Sequence, residues 1–275
     1  MTRIASLLAH GRTYSFEFFP PKTEEGRRHL AQALIDLQPL QPSFVSVTYR
    51  GGPASREPTH DLVAGMLKTT ALNPMAHLTC AGHSRLELAD ILVALRKAGV
   101  DNLMALGGDG PAAGELPHAV ELVELARAIG GFSIGVAAHP SVHPRSPSRE
   151  LDRDHLAAKL RLADFAVTQS VFSLEEYLGL IDELAARGVD KPVLPGIMPI
   201  TSLSSIERQR ELGAVVPADV EERLRSARDV RSVGLGLAAE LCQALLDAGA
   251  PGLHFITLNR SSATREIWES LAVHR

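Results

Sequence analysis

The sequence is short of cysteine, of aromatic residues, of lysine and of charge in excess. Cys80 and Cys242 are its only cysteines. They lie far apart, so neither a disulfide framework nor a cysteine metal cage can be built, and both read as small buried hydrophobes. Aromatic residues make up 4% of the chain and the net charge is -4, which leaves no basic, ring-bearing surface for nucleic acid or an anionic membrane. The first apolar run, in "MTRIASLLAHGRTYSFEFFPP", is cut by His10, Gly11 and Arg12, too early for a signal peptide or a spanning helix. These absences predict a cytoplasmic protein.

What is present is 275 residues, 45% of them hydrophobic, in short apolar runs alternating with longer amphipathic ones. Strands are predicted at "YSFEFF" (14–19), "FVSVTY" (44–49), "MAHLTC" (75–80), "NLMALGG" (102–108), "FSIGVAA" (132–138), "FAVTQSVF" (165–172), "VLPGIMPI" (193–200) and "GLHFITLN" (252–259). Helical periodicity fills intervals such as 23–40, 84–99, 116–130 and 174–188, and a last helix at 263–273 is expected to pack beneath the ring. Strict alternation calls for a parallel sheet, either a (β/α)8 TIM barrel or an open doubly wound sheet. Residues two apart share a strand face. Small or polar groups recur on one face: Ser15 with Glu17, Ser46 with Thr48, His77 with Thr79, Ala105 with Gly107 and Asp109, and Ser133 with Gly135 and Ala137. An open sheet covered by helices is apolar on both faces, so the reading is a single-domain TIM barrel spanning 1–275, with a charged helical insertion at about 203–230.

The active site of such a barrel lies at the C-terminal ends of its strands. That gathers Glu17, Thr48, His77, Thr79, Asp109, His139, Gln169, Asn259 and Arg260. Glu17 draws notice because "YSFEFFPPK" sets an ionisable acid inside the most apolar strand, and a buried carboxylate is costly unless protonated or partnered. No lysine is expected at these ends: Lys68, Lys97, Lys159 and Lys191 fall on helices or before a strand, which argues against Schiff-base chemistry. Histidines in "AAHPSVHP" and "HLTCAGH" read as pocket walls and not as metal ligands, for want of carboxylates to complete a site. "GGDG" (107–110) lacks the GxGxxG spacing, but its glycines leave room for a flat ligand against the backbone.

Taken together, "SFEFFPPK", "FVSVTY", "HLTC", "VAAHPSVHP", "TQSVF", "PGIMPI" and "FITLNR" resemble the methylenetetrahydrofolate reductase family in order and spacing, from about Tyr14 to Arg260. The resemblance implies a TIM barrel that reduces 5,10-methylenetetrahydrofolate to 5-methyltetrahydrofolate. It implies Glu17 as the general acid that protonates N10, with a proton affinity raised toward neutral pH by its apolar setting. It implies Asp109 as the charge that favours the N5 iminium cation, Gln169 and Arg260 as folate contacts, and Thr48 and His77, with Gly107 and Gly108, on the side of the nicotinamide nucleotide. Typical members carry FAD, and here the sequence departs from them. "LGGD" stands for "LRGD", so Gly107 replaces an arginine. His118 stands for a tyrosine, and Ala157 and Leu160 fall at flavin contacts. Three residues are missing before "ADFAVTQ". Gln209 takes the place of a phenylalanine that stacks on the ligand, and Ser205 that of a glutamine. The departures gather on the FAD side. They imply NADH or NADPH as donor with FAD doubtful. A FAD-dependent member, a folate-binding protein without turnover and a metal-dependent barrel hydrolase remain as alternatives.

Overall fold

The computed structural model describes residues 2–49, 53–108 and 114–271, with the side chains of 53–57 left aside. Asp109 lies outside the described residues. The first half of the chain runs α1 (Ile4–His10), β1 (Thr13–Phe18), α2 (Glu24–Leu37), β2 (Phe44–Val47), α3 (Pro53–Thr69), β3 (Pro74–Thr79), α4 (Arg85–Lys97), β4 (Asn102–Leu106) and α5 (Ala119–Ile129). It continues as β5 (Ser133–Ala138), α6 (Arg149–Leu162), β6 (Phe165–Ser170), α7 (Leu174–Ala185), β7 (Val193–Ile197), α8 (Leu203–Glu211), α9 (Ala218–Arg225), α10 (Val230–Asp247), β8 (Gly252–Ile256) and α11 (Ser262–Ser270). The strands close into a parallel barrel in sequence order, sealed by β1 against β8. This is the expected (β/α)8 TIM barrel. Several helices start where a hydroxyl side chain accepts from an amide of the first turn, as Thr23, Ser84, Ser148 and Ser173 do for α2, α4, α6 and α7.

Strand alternation sorts the apolar side chains into two layers. Phe16, Phe18, Val45, Val47, Leu78, Ile134 and Val136 face outward and meet helix residues such as Leu30, Leu88 and Leu122. Phe44, Met75, Met104, Phe165, Val167 and Leu194 fill the lumen together with Ile4 of α1. Phe165 lies so close over Gly135 that a Cβ there would stand 2.6 Å from its ring, so only glycine fits. The face assignments hold for β1, β2, β3 and β5 but reverse on β4. Ala105 joins the outer layer, while Met104 and Leu106 face the lumen. Asn102, at the start of the strand, shares the face of Met104 and Leu106 and turns inward to the Ile4 amide.

The floor of the barrel also differs from expectation. α11 lies on the outer wall, where Trp268 meets Tyr14 edge-on at 4.9 Å and Phe16 at 6.3 Å. The floor is α1, whose free amides are taken by side chains of the barrel: Ile4 N donates to Asn102 Oδ1 at 2.8 Å and Ala5 N to Ser133 Oγ at 2.9 Å. Between β7 and α10, α8 and α9 enclose a small apolar cluster of Ile200, Ile206, Val216 and Leu224. Among the described residues no helix is long and apolar enough to cross a membrane.

Candidate active site

Glu17 projects into the barrel near the C-terminal end of β1. Its neighbours on β1, Phe16 and Phe18, drive into the outer layer, so alternation points the carboxylate inward. It keeps 19% exposure and stands 3.5 Å from His254 Nε2 and 3.7 Å from His77 Nε2. His254 arrives from β8 because Ser15 pairs in register with it, and its Nδ1 meets Ser15 Oγ at 2.7 Å. Its ring stacks on Phe44, with centroids 6.0 Å apart, and its Nε2 lies 3.5 Å from Ser46 Oγ. The carboxylate is thus held by two histidines and a serine on a floor of apolar side chains.

The electrostatics correct one expectation. Burial pushes the Glu17 carboxyl up, but the His254 hydrogen bond, the charges of His77 and His254 and a hydrogen bond from Ser46 outweigh it. The net displacement is below the ordinary carboxylate value. His77 moves the other way from a free imidazole, down to about 4, because burial outweighs the attraction of Glu17. At neutral pH His77 is therefore uncharged, and the Ser46 and His254 contacts carry the stabilisation of the carboxylate. The sequence shows an acid among aromatic rings; it does not show the imidazoles that the fold brings beside it.

Around this group lie polar atoms with unused capacity. His77 Nε2, Thr79 Oγ1 and His139 Nδ1 are buried and have no hydrogen-bond partner among the described residues. All three belong to the C-terminal ends of β3 and β5. Buried polar atoms are normally paired, so each of these three is open to a further hydrogen bond. His139 packs edge-on against His143 at 4.5 Å. Its pKa falls to about 3 through burial and then the charges of His143, Lys159, Arg153 and Arg145.

The remaining sequence candidates lie around the same mouth. Thr48 follows β2, its amide bonded to Phe18 O at 2.9 Å and its carbonyl accepting from Thr59 Oγ1 at 3.0 Å. Gly108 has φ +96°, and a Cβ there would meet Ala81 Cβ at 2.6 Å, so the turn after β4 requires glycine. Gly107 is open, its nearest would-be neighbour 4.0 Å away, and its carbonyl accepts from Ala81 N. Gln169 is half-buried on β6, within the register irregularity between Val167 and Ser170. Arg260 is exposed, in a turn fixed by Asn259. The Asn259 side chain bonds both Phe19 N at 3.0 Å and Phe19 O at 2.8 Å, tying the β8 loop to the β1 loop.

Three residues were missed from sequence. His254 carries the same signal as Glu17, an ionisable group inside an apolar strand. Lys159, expected away from the strand ends, reaches one of them. Its Nζ donates to Ala137 O at 2.9 Å, and burial lowers its pKa to about 8 against the pull of Asp152. Arg153 is 1% exposed, although its helix reads as a charged surface. It donates to the carbonyls of His139, Pro140 and Ser141 and to Asp152 and Glu183, bracing the β5–α6 turn. Among the described residues no three histidine, cysteine or acidic side chains are grouped to hold a metal ion.

Comparison with known proteins places the chain beside others of the same fold. The family model described as methylenetetrahydrofolate reductase matches residues 3–272. A 5,10-methylenetetrahydrofolate reductase of Pectobacterium carotovorum is 34% identical over 267 residues, covering 94% of this chain and 90% of that one. Its Escherichia coli counterpart is 33% identical over the same coverage. Among solved structures, a Clostridium thermocellum protein described as binding two copies of 5-methyl-5,6,7,8-tetrahydrofolic acid superposes with TM-score 0.71. At 16% identity it covers 97% of this chain and 95% of its own.

Proposed function

The chain belongs to the methylenetetrahydrofolate reductase family, and from that premise we propose that it passes hydride directly from a nicotinamide dinucleotide to 5,10-methylenetetrahydrofolate, without a resident flavin. We read residues 1–275 as one catalytic unit working in the cytoplasm. A Clostridium thermocellum protein of the same fold is described as binding 5-methyl-5,6,7,8-tetrahydrofolic acid, which supports a folate as the substrate.

The observation that carries the flavin-free reading is Arg153. A guanidinium has five N–H donors, and all five are spent within the chain, on three carbonyls and two carboxylates. Lys159 turns one of its three N–H donors onto Ala137 O. A tightly held flavin needs charge-assisted hydrogen bonds to its pyrophosphate, and the guanidinium at the β5–α6 corner has none left to give. The residues present do not fit that group, so no step is routed through it.

In this reading Glu17 supplies the proton for N10 as the imidazolidine ring opens. Asp109 favours the N5 iminium that results, and hydride then converts the methylene carbon to methyl. Gln169 and Arg260 hold the folate; Thr48, His77, Gly107 and Gly108 border the donor. A pterin over Glu17 removes the water that still reaches it, and added burial raises a carboxyl pKa. The acid thus gains its proton affinity in the complex, although the unliganded pocket depresses it. Without a stored hydride the donor and folate must be bound together, with the reacting carbons roughly 3–3.5 Å apart. Initial-rate plots should therefore intersect, and deuterium from the reduced nicotinamide should reach the product methyl group without washing out. Parallel lines, or stoichiometric flavin in the purified protein, would return the chain to the flavin-bound members.

A further inference from the structure

Ser15 stands two residues before Glu17 on the same face of β1, and His254 of β8 pairs with it in register. Both are shut away from water, at 0% and 1% exposure. Ser15 Oγ lies 2.7 Å from His254 Nδ1 and 3.4 Å from Leu253 O. A hydroxyl has one hydrogen to give, and a neutral imidazole carries its proton on one nitrogen only. Two arrangements compete. Either Ser15 donates to Nδ1 and the ring proton sits on Nε2, or Nδ1–H donates to Ser15 and the hydroxyl turns to the more distant Leu253 carbonyl.

The far side of the ring decides between them. Nε2 stands 3.5 Å from Glu17 Oε2 and 3.5 Å from Ser46 Oγ, and stacking on Phe44 at an interplanar angle of 19° fixes the plane of the imidazole. A carboxylate only accepts, so a bare Nε2 would face it lone pair to lone pair. The Nε2–H form satisfies both ends of the ring at once. His77 Nε2, 3.7 Å away, faces the same oxygen, Oε2. Among the described residues the titratable groups turned to this carboxyl are thus His254 from β8 and His77 from β3, while β2 brings the neutral Ser46.

We propose that His254, its tautomer set by Ser15, is a positioning residue that reserves Oε2 of Glu17 for its own N–H and so places the transferable proton on Oε1. In a protonated carboxyl one oxygen remains a pure acceptor and the other carries the hydrogen. With Oε2 accepting from Nε2–H, the hydrogen belongs to Oε1. The reverse tautomer would draw it onto Oε2 and hold it against the bare Nε2 instead of giving it to N10. The inference rests on the proposed reading of Glu17 as the acid, and deepens it by naming the oxygen that delivers the proton.

The tautomer is read directly by nitrogen NMR of the full-length wild type carrying isotopically labelled histidine, at about pH 8, above the free imidazole value. His254 should carry its proton on Nε2; a bare Nε2 overturns the inference. Kinetics give the second measurement. His254→Phe keeps a ring against Phe44 and removes both nitrogens. Its plateau kcat should fall about tenfold or more through misplacement of the proton, with KM for methylenetetrahydrofolate within about twofold. A carboxylate that loses a donor binds its proton more tightly, so the limb on which kcat falls with rising pH should move up by about one pH unit. His254→Gln, which restores an N–H, should return that limb toward its wild-type position. A folded His254→Phe with wild-type kcat and pH limb, or a loss confined to KM, overturns the inference; with Glu17→Gln inactive, the reading of Glu17 still stands. Should the variant fail to fold, the tautomer on wild type decides alone. Wild-type turnover by Glu17→Gln, or a wild type that does not reduce methylenetetrahydrofolate, overturns both.

Discussion

Replacing His77 by asparagine should change how stability depends on acid. The imidazole is 7% exposed, and burial lowers its pKa from 6.5 to about 4 even though Glu17 lies 3.7 Å away. The folded state thus resists a proton that the unfolded chain accepts freely. Between pH 6.5 and about 4 the unfolded state binds more protons, so this contribution is complete above pH 6.5. It is lost as pH falls and levels off below about 4. The full difference is worth roughly 3 kcal/mol, and about 2 kcal/mol of it disappears between pH 7 and pH 5. Asparagine is neutral throughout and removes this component together with the pull of the His77 charge on Glu17, while the surface carboxylates titrate alike in both proteins. Urea unfolding at pH 7 and pH 5 is the assay. The stability advantage of wild type over His77→Asn should shrink, or its deficit grow, by about 2 kcal/mol at the lower pH. Equal pH dependence in the two proteins would refute the reasoning, as would an NMR titration of His77 centred near the free value.

Glu17→Gln keeps the shape of the acid without its proton and should cut turnover by about 10²–10⁴ with the fold intact; wild-type turnover would remove Glu17 from the chemistry. Asp109→Asn should lower turnover more than folate affinity, since it deletes the charge that favours the cation; an unchanged rate would leave Asp109 as a turn former. Gly108→Ala should cost roughly 1–3 kcal/mol of stability by thermal or urea unfolding, from its positive φ and the clash with Ala81. Wild-type stability there would mean that the turn after β4 readily adopts another path.

The barrel was legible because hydrophobic alternation and helix periodicity are local, and all eight strands stand where the apolar runs placed them. Phase was read from the small and polar residues of each strand: Glu17 and His77 set β1 and β3, whereas on β4 the inward mark is Asn102 at its start, and counting back from Gly107 and Asp109 beyond its end put Ala105 on the wrong face. The acid of the site was visible for the same reason. Its partners were not, because the meeting of Glu17 with His254 spans 237 positions and depends on β1 closing against β8. Lys159 and Arg153 were hidden by another limit. A cation on a helix reads as solvated, and only the packed α6 reveals that both are drawn in toward the β5 corner.

The α1 plug has a consequence for biosynthesis. Ile4 and Ala5 are translated well before their partners Asn102 and Ser133, which come about a hundred positions later or more. At roughly 5–20 residues per second, this segment waits on the order of ten seconds before its socket exists. The seam between β1 and β8 waits longer still, since Thr13 pairs with Gly252. The floor and the seam are therefore late events in a vectorial process, and Ile4 and Leu8, apolar in the finished lumen, must be kept from other company until the ring behind them is ready to receive them.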